Sequence, residues 1–350
     1  MVKGKEYRAE WECPSNIALI KYWGKKPAQL PLNASLSFSL KKAKTKTRVS
    51  ITPASRRKVS FMFEGQASAF TERIENYLAN MSLEHDWLND FSFKIESWNT
   101  FPHSAGIASS ASAFGALALC LVDLKQQVNN RQFTQEQFFQ KASRWARLGS
   151  GSACRSVFPA FAVWGHLNQI PGSTDCHAIP VKGRFHPDYY SLRDAVLLVD
   201  SNKKQVSSSQ GHELMNTHTF KDARLAQVNS HLFELLTVME KGEHARFFEL
   251  LEKEALSLHA LMMTSDPSFI LLHPNSLNII QRIRDFRKQS GLHFGFTIDA
   301  GPNIHLIYFE KDKEVIHQFV EHELLSFTEQ GQWLDDGIGN GPIQLTDEGV

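Results

Sequence analysis

The stretch SAGIASSASAFGALALCLVDL, residues 104–124, joins a loop of small residues directly to an apolar helix. Phe114, Leu117, Ala118, Leu121 and Leu124 recur at helical spacing, so the segment reads as a buried helix. Its apolar run from Ala111 to Leu124 is too short to span a bilayer. Small residues ahead of the helix let a ligand approach the backbone closely. The helix start offers unpaired N–H groups and the positive end of a dipole to an anion. The serine hydroxyls add donors and can ligate magnesium. There is no GxxxxGK[ST] pattern, so this is not a P-loop. A Ser-rich cap feeding a packed helix would read the same, and the other loops must be weighed with it.

Two more loops have the same character. In GSGSACR, residues 149–155, small donors precede Arg155, whose guanidinium fork suits a carboxylate or phosphate. In VSSSQGH, residues 206–212, serines follow a buried strand and precede a long helix. Near the N-terminus, Lys21, Lys25 and Lys26 sit among Tyr22 and Trp23, a cluster able to hold phosphate charge. Asp299 ends the apolar strand FTID beside a Gly-Pro turn. It is either a turn former or a carboxylate aimed at a hydroxyl. Taken together, these features point to a polyphosphate site beside a second anion, and hence to phosphoryl transfer.

Around these loops the chain alternates strands and helices. Strands are expected at 17–22, 36–40, 46–51, 58–63 and 91–97, with 46–51 and 58–63 in an antiparallel sheet. Helices are expected at 69–78 and 135–147, the second opened by a Thr134/Gln137 capping box and stopped at Gly149. Residues 172–188, rich in Gly, Pro, Ser and His, mark a domain boundary. Beyond it come a strand at 195–200, two long helices at 213–241 and 244–263, and a helix capped by Asn275 and ended by Gly291. A hairpin around Ala300–Asn303, a last helix at 312–325 and a closing strand at 342–345 follow. The pattern is α+β, with mostly antiparallel sheets and helices packed on them.

The 350 residues carry a formal net charge of +1, with 42% hydrophobic and 21% charged residues. No bulk charge points to nucleic acid or an anionic membrane, so neither is expected as a partner. The polar start MVKGKEYRAEW has no apolar signal core. Four widely spaced cysteines, Cys13, Cys120, Cys154 and Cys176, suit neither a disulfide framework nor a cysteine zinc site. They are expected to be reduced and buried.

These segments, in this order, resemble the diphosphomevalonate decarboxylases of the GHMP kinase superfamily over nearly the whole chain. NIALIKYWGKK (16–26) with LPLNASLSFSL (30–40) is similar to the family's N-terminal signature. Residues 98–118 are similar to its nucleotide-phosphate loop and GSGSACRSVF (149–158) to its substrate segment. VSSSQGH and FTIDAGPN (296–303) are similar to the remaining two sites. The resemblance implies a two-domain GHMP kinase fold, 1–188 and 189–350, with the active-site cleft between the domains. It implies ATP and Mg²⁺ as cofactors, mevalonate 5-diphosphate as substrate and a homodimer, while the reduced cysteines lead to the expectation of a cytoplasmic location.

The residue roles follow from the same resemblance. Asp299 would orient the tertiary hydroxyl and accept its proton. Lys21 would neutralise phosphate charge beside Asp299 and keep it ionised. Arg155 would clamp the substrate carboxylate. Tyr22, Lys25, Ser150, Ser152, Ser208 and Ser209 would hold the diphosphate or carboxylate end, and Asn16 would orient Lys21 or Asp299. Ser104, Gly106, Ala108, Ser109, Ser110 and Ser112 would face the ATP phosphates, Ser110 also serving the metal. The chain departs from the family at Ala113 (commonly Gly), Ser209 (often Arg or Thr) and His212 (usually Met). A missing Arg weakens diphosphate binding, which His212 could offset if protonated. The alternatives are a mevalonate 5-phosphate decarboxylase, a kinase of the tertiary hydroxyl, and an inactive nucleotide-binding protein.

Overall fold

The computed structural model describes residues 4–68, 70–102, 107–200 and 208–345, without the side chains of 208 and 209. Strand β1 (Tyr7–Ile20) runs antiparallel to β2 (Ser35–Pro53). The strands expected at 36–40 and 46–51 are thus one strand. The break in pattern arises because Ser35–Leu40 is covered on both faces, whereas from Ala43 onward burial alternates. On that covered stretch Leu36, Phe38 and Leu40 join an apolar core. The buried hydroxyls of Ser35, Ser37 and Ser39 lie at the intervening positions.

Strand β3 (Val59–Phe63) pairs with β4 (Phe91–Asn99) in parallel, not antiparallel as expected. Helix α1 (Thr71–Ser82) lies between them and carries the chain back to start β4 at the same end. Helix α2 (Ser109–Asn129) is buried along most of its length against β1 and β2. Thr134 caps α3 (Gln135–Gly149) with the expected reciprocal bonds to Gln137. A short helix, α4 (Ala153–Ser156), leads to β5 (Phe161–Trp164), which pairs with the 35–38 end of β2 and with β6 (Ala178–Pro180).

The second sheet is wholly antiparallel. It contains β7 (Leu192–Leu197), β8 (Gly295–Ile298), β9 (Ile304–Phe309) and β10 (Trp333–Gly337), in spatial order β8-β9-β7-β10. The hairpin expected around residues 300–303 is the β8–β9 pair. The expected helix 213–241 is broken into α5 (Ser208–Leu214) and α6 (Lys221–Lys241). At the break, His218 Nδ1 accepts the Phe220 amide at 3.0 Å, satisfying backbone outside a helix. Helix α7 (His244–Met263) follows after Gly242, at φ 77°. Helix α8 (Pro274–Ser290) is capped by His273, not Asn275, with Pro274 in its first turn, and it does end at Gly291. The last helix, α9 (Lys313–Phe319), is shorter than expected and relaxes into a wider π turn, Val320–Leu324. Ile343–Gln344 closes the first sheet against Trp11–Glu12.

Ile17, Phe38 and Phe161 of the first sheet share one core with Val196, Leu235, Phe247 and Ile307. The first sheet therefore packs against β7, β9 and the helices α6 and α7 through one shared core. Cys13, Cys120 and Cys154 are buried thiols, but Cys176 is exposed, because its loop precedes β6 on the surface. Among the described residues no helix is long and apolar enough to cross a membrane.

Candidate active site

Strand β1 ends one residue before Lys21, and β8 ends one residue before Asp299. The two side chains meet, with Lys21 Nζ donating to Asp299 Oδ1 at 2.6 Å. Lys21 is 3% exposed and Asp299 26%, so the pair is sheltered but reachable. The Gly301 amide donates to the Asp299 carbonyl at 2.7 Å, so this Asp also begins a tight turn. His259 Nε2 on α7 donates to the same carbonyl at 3.0 Å.

A buried carboxylate fixes the other side of Lys21. Glu254 Oε2 accepts the Lys21 amide at 3.1 Å, and Arg224 grips both Glu254 oxygens at 2.8 and 2.7 Å. His231 Nδ1 lies 2.6 Å from Oε1. Burial pushes the Glu254 carboxyl upward, but hydrogen bonds and charge from Arg224 and His231 outweigh it and leave it lowered. Arg224 and Asn33 both donate to the Lys21 carbonyl, at 3.3 and 3.0 Å.

Arg155, 2% exposed, lies over the Tyr22 ring at 5.5 Å. Its Nε donates to Ser37 Oγ at 2.9 Å, its NH1 to Ser35 Oγ, and its NH2 to Asn16 Oδ1 at 3.2 Å. Asn16 Nδ2 donates to the Ser152 carbonyl at 3.1 Å and to Ser156 Oγ at 2.8 Å. Asn16 therefore holds Arg155 and the 149–152 turn, rather than Lys21 or Asp299. Tyr22 packs edge-on against Trp164 at 4.9 Å. A Cβ at Gly151 would lie 2.8 Å from the Tyr22 hydroxyl, so only glycine lets this turn close over the ring.

The hydroxyls of Ser110 and Ser150 are 3.2 Å apart, and those of Ser150 and Ser152 are 3.5 Å apart. This puts the second loop against the start of α2. Ala108 precedes that helix without a side-chain cap, and the Ser109 and Ala111 amides turn back onto the Ile107 and Ala108 carbonyls at 2.6 and 2.8 Å. Ser109 is half-buried there. Ser112 does not fit the expected phosphate contact. It is fully buried, bonded to Thr45 Oγ1 at 2.6 Å and to the Ser109 carbonyl at 3.1 Å, because its helical position faces the sheet. Ser104 and Gly106 lie outside the described residues, as do the side chains of Ser208 and Ser209.

His212 stacks between Tyr22 and Trp23, at 4.7 and 4.5 Å, and its Nδ1 accepts the Gly24 amide at 2.9 Å. Burial, with the nearby Lys25 charge, pushes it well below the ordinary imidazole range. It is a neutral packing residue and supplies no replacement charge. Lys25 is itself lowered to about 8 by burial and by Arg73, against the pull of Glu213.

Arg73 was not anticipated. It lies over the Phe114 ring at 4.8 Å and donates to the Gly149 carbonyl at 3.2 Å, bringing a cation to the junction of the first two loops. Nor were Glu254 and Arg224 anticipated, although Glu254 stands between Leu251 and Leu258 on an apolar helix face, a legible sign of a paired buried charge.

Residues 13–178 match the family model of a diphosphomevalonate decarboxylase-like N-terminal domain, and 195–344 that of a mevalonate 5-diphosphate decarboxylase C-terminal domain. The diphosphomevalonate decarboxylase of Candida albicans is 31% identical over 326 residues, covering 89% of this chain and 86% of its own. That of Saccharomyces cerevisiae is 31% identical over 333 residues, covering 90% and 81%. The crystal structure of mevalonate diphosphate decarboxylase from Staphylococcus aureus superposes with a TM-score of 0.83 at 29% identity, over 98% of this chain and 99% of that one. A relative solved in complex with MVAPP, AMPPCP and magnesium superposes with a TM-score of 0.81 at 28% identity, over 97% and 99%.

Proposed function

The chain belongs to the diphosphomevalonate decarboxylase family, and from that premise we propose how its residues divide the work. The reaction transfers the γ-phosphoryl group of ATP to the tertiary hydroxyl of mevalonate 5-diphosphate. Phosphate then leaves, the bond to the carboxylate breaks, and carbon dioxide and isopentenyl diphosphate result.

The observation that carries the assignment is the Lys21–Asp299 contact of 2.6 Å at two strand ends. Asp299 orients the hydroxyl and accepts its proton as the phosphoryl group arrives. Lys21 holds Asp299 in place and offsets the charge gathering on the transferred group. Arg155, locked by Asn16, Ser35 and Ser37, faces the carboxylate and keeps the breaking bond aligned. Tyr22 and Ser152 line the same side.

The triphosphate lies against the uncapped start of α2, met by Ala108, Ser109, Ser110 and Ser150, and by Ser104 and Gly106 of the same loop. The oxygen donors of Ser110 and Ser150, 3.2 Å apart, fit a hard cation that takes few protein ligands and shares the rest with phosphate. Ser110 would hold Mg²⁺, which when bound neutralises phosphate charge. Ser208, Ser209 and Lys25 belong to the diphosphate end. With His212 neutral and Ser209 in place of a cation, Lys25 and Arg73 supply the positive charge there.

The proposal includes domains 1–188 and 189–350, a homodimer and a cytoplasmic location. Its test is incubation with ATP, Mg²⁺ and each of mevalonate, its 5-phosphate and its 5-diphosphate. Equal release of ADP and carbon dioxide from the 5-diphosphate is expected. ADP without carbon dioxide from every substrate rejects the reading.

A further inference from the structure

Away from the reacting centre, His186 and Asp188 sit where the chain enters β7, and His244 begins α7. One ligand atom from each lies within 4.8 Å of the other two. Asp188 Oδ2 is 3.1 Å from His244 Nε2 and 3.7 Å from His186 Nδ1. A tetrahedral zinc with bonds near 2 Å sets its ligand atoms about 3.3 Å apart. The His244–Asp188 distance already meets this, and His186, whose Nδ1 accepts the Asp188 amide at 3.4 Å, must move in to complete the set.

Two observations make this more than surface proximity. His244 Nε2 is buried yet makes no hydrogen bond, despite its nearness to Asp188, leaving a nitrogen without its ordinary partner. His186 is seated by its own amide bond to the Met239 carbonyl at 2.8 Å. It also rests against Gly242, where an added Cβ would come within 3.0 Å of the ring. The other groups facing His244 are Lys311 and His293.

We infer that His186, Asp188 and His244 form a binding site for one borderline divalent metal ion, of which zinc is the type, in addition to the magnesium used with ATP. Two imidazoles and one carboxylate are the donors that such ions prefer, whereas Mg²⁺ favours oxygen alone. The ion would tie the turn Pro187–Ser191 to the start of α7. Ten residues, about 15 Å, farther along that helix stands Glu254, which fixes Lys21.

The test is calorimetric titration of Zn²⁺ into the full chain stripped of metal, with thermal unfolding followed in parallel. The wild type should bind one equivalent that His186→Ala and Asp188→Asn weaken at least about tenfold, as loss of a ligand does. It should also show a zinc-dependent rise in unfolding temperature that both variants lose. Excess Mg²⁺ should not displace the ion. Both altered side chains are 43% exposed, so the core stays intact, and retained decarboxylation confirms folded variants. Absence of zinc binding by the wild type at micromolar concentration overturns the inference. So does zinc binding by both variants with wild-type affinity.

Discussion

Lys21 and Asp299 stand 278 residues apart in sequence, and their side chains meet at 2.6 Å where β1 and β8 end. Each comes from a different sheet, so the pair exists only when the two halves of the chain are packed together. The same packing buries Glu254, whose carboxylate accepts the Lys21 amide. The Lys21–Asp299 contact and the folded interface are thus one structure.

Removing the charge of Lys21 should therefore slow the chemistry more than it weakens nucleotide binding. For Lys21→Met we expect kcat to fall roughly 10²–10³-fold, as when one stabilising donor is lost. The KM for ATP should stay near wild type. Steady-state kinetics with both substrates checks this, and a change confined to the KM for ATP would place Lys21 on the nucleotide instead.

Arg155→Lys keeps a charge but not a fork. Asn16, Ser35 and Ser37 then lose partners in a buried site. The kcat/KM for the diphosphate should drop about 10²-fold, the scale of a small misplacement of substrate. Stability should fall by about 1–3 kcal/mol. Kinetics on protein shown to be folded separates the two effects, and loss of stability alone would make Arg155 a scaffold residue.

Glu254→Gln leaves Arg224 buried opposite a neutral group. Breaking a buried pair in this way costs about 3–5 kcal/mol. The folded Glu254 carboxyl lies below its ordinary value of 4.5. Its stabilisation is therefore present above that pH and is lost as pH falls through the lower, folded value. Urea unfolding across the acid range should show a shallower acid limb in the variant than in the wild type.

Lys25 should give the enzyme an alkaline limit. It titrates at about 8, so it is cationic below that pH and neutral above it. The KM for the diphosphate substrate should rise as pH passes through about 8, and Lys25→Arg should flatten the rise. An identical rise in that variant would assign the limit to another group.

Much of this was legible because it is local. Helical spacing announced α2, the Thr134/Gln137 pair announced the start of α3, and Asp299 was placed at a strand end by its own neighbours. What escaped depends on contacts made far along the chain. The parallel β3–β4 pairing follows from how α1 returns the chain, not from the alternation of either strand. Ser112 resembles Ser109 and Ser110, yet its place two residues beyond Ser110 on the helix turns it toward Thr45. His212 read as a possible cation until Tyr22 and Trp23 closed over it. Arg73 lies on a helix without any motif and meets the loops through Phe114 and Gly149, far along the chain.

The most direct measurement is single-turnover release of ADP and carbon dioxide by Asp299→Asn, with nucleotide binding followed separately. Amide for carboxylate preserves shape and removes the acceptor of the hydroxyl proton. Binding of ATP near wild-type affinity, with both products slowed together by roughly 10³-fold or more, is the result expected when a central catalytic group is lost. Turnover within a few-fold of wild type would contradict the account.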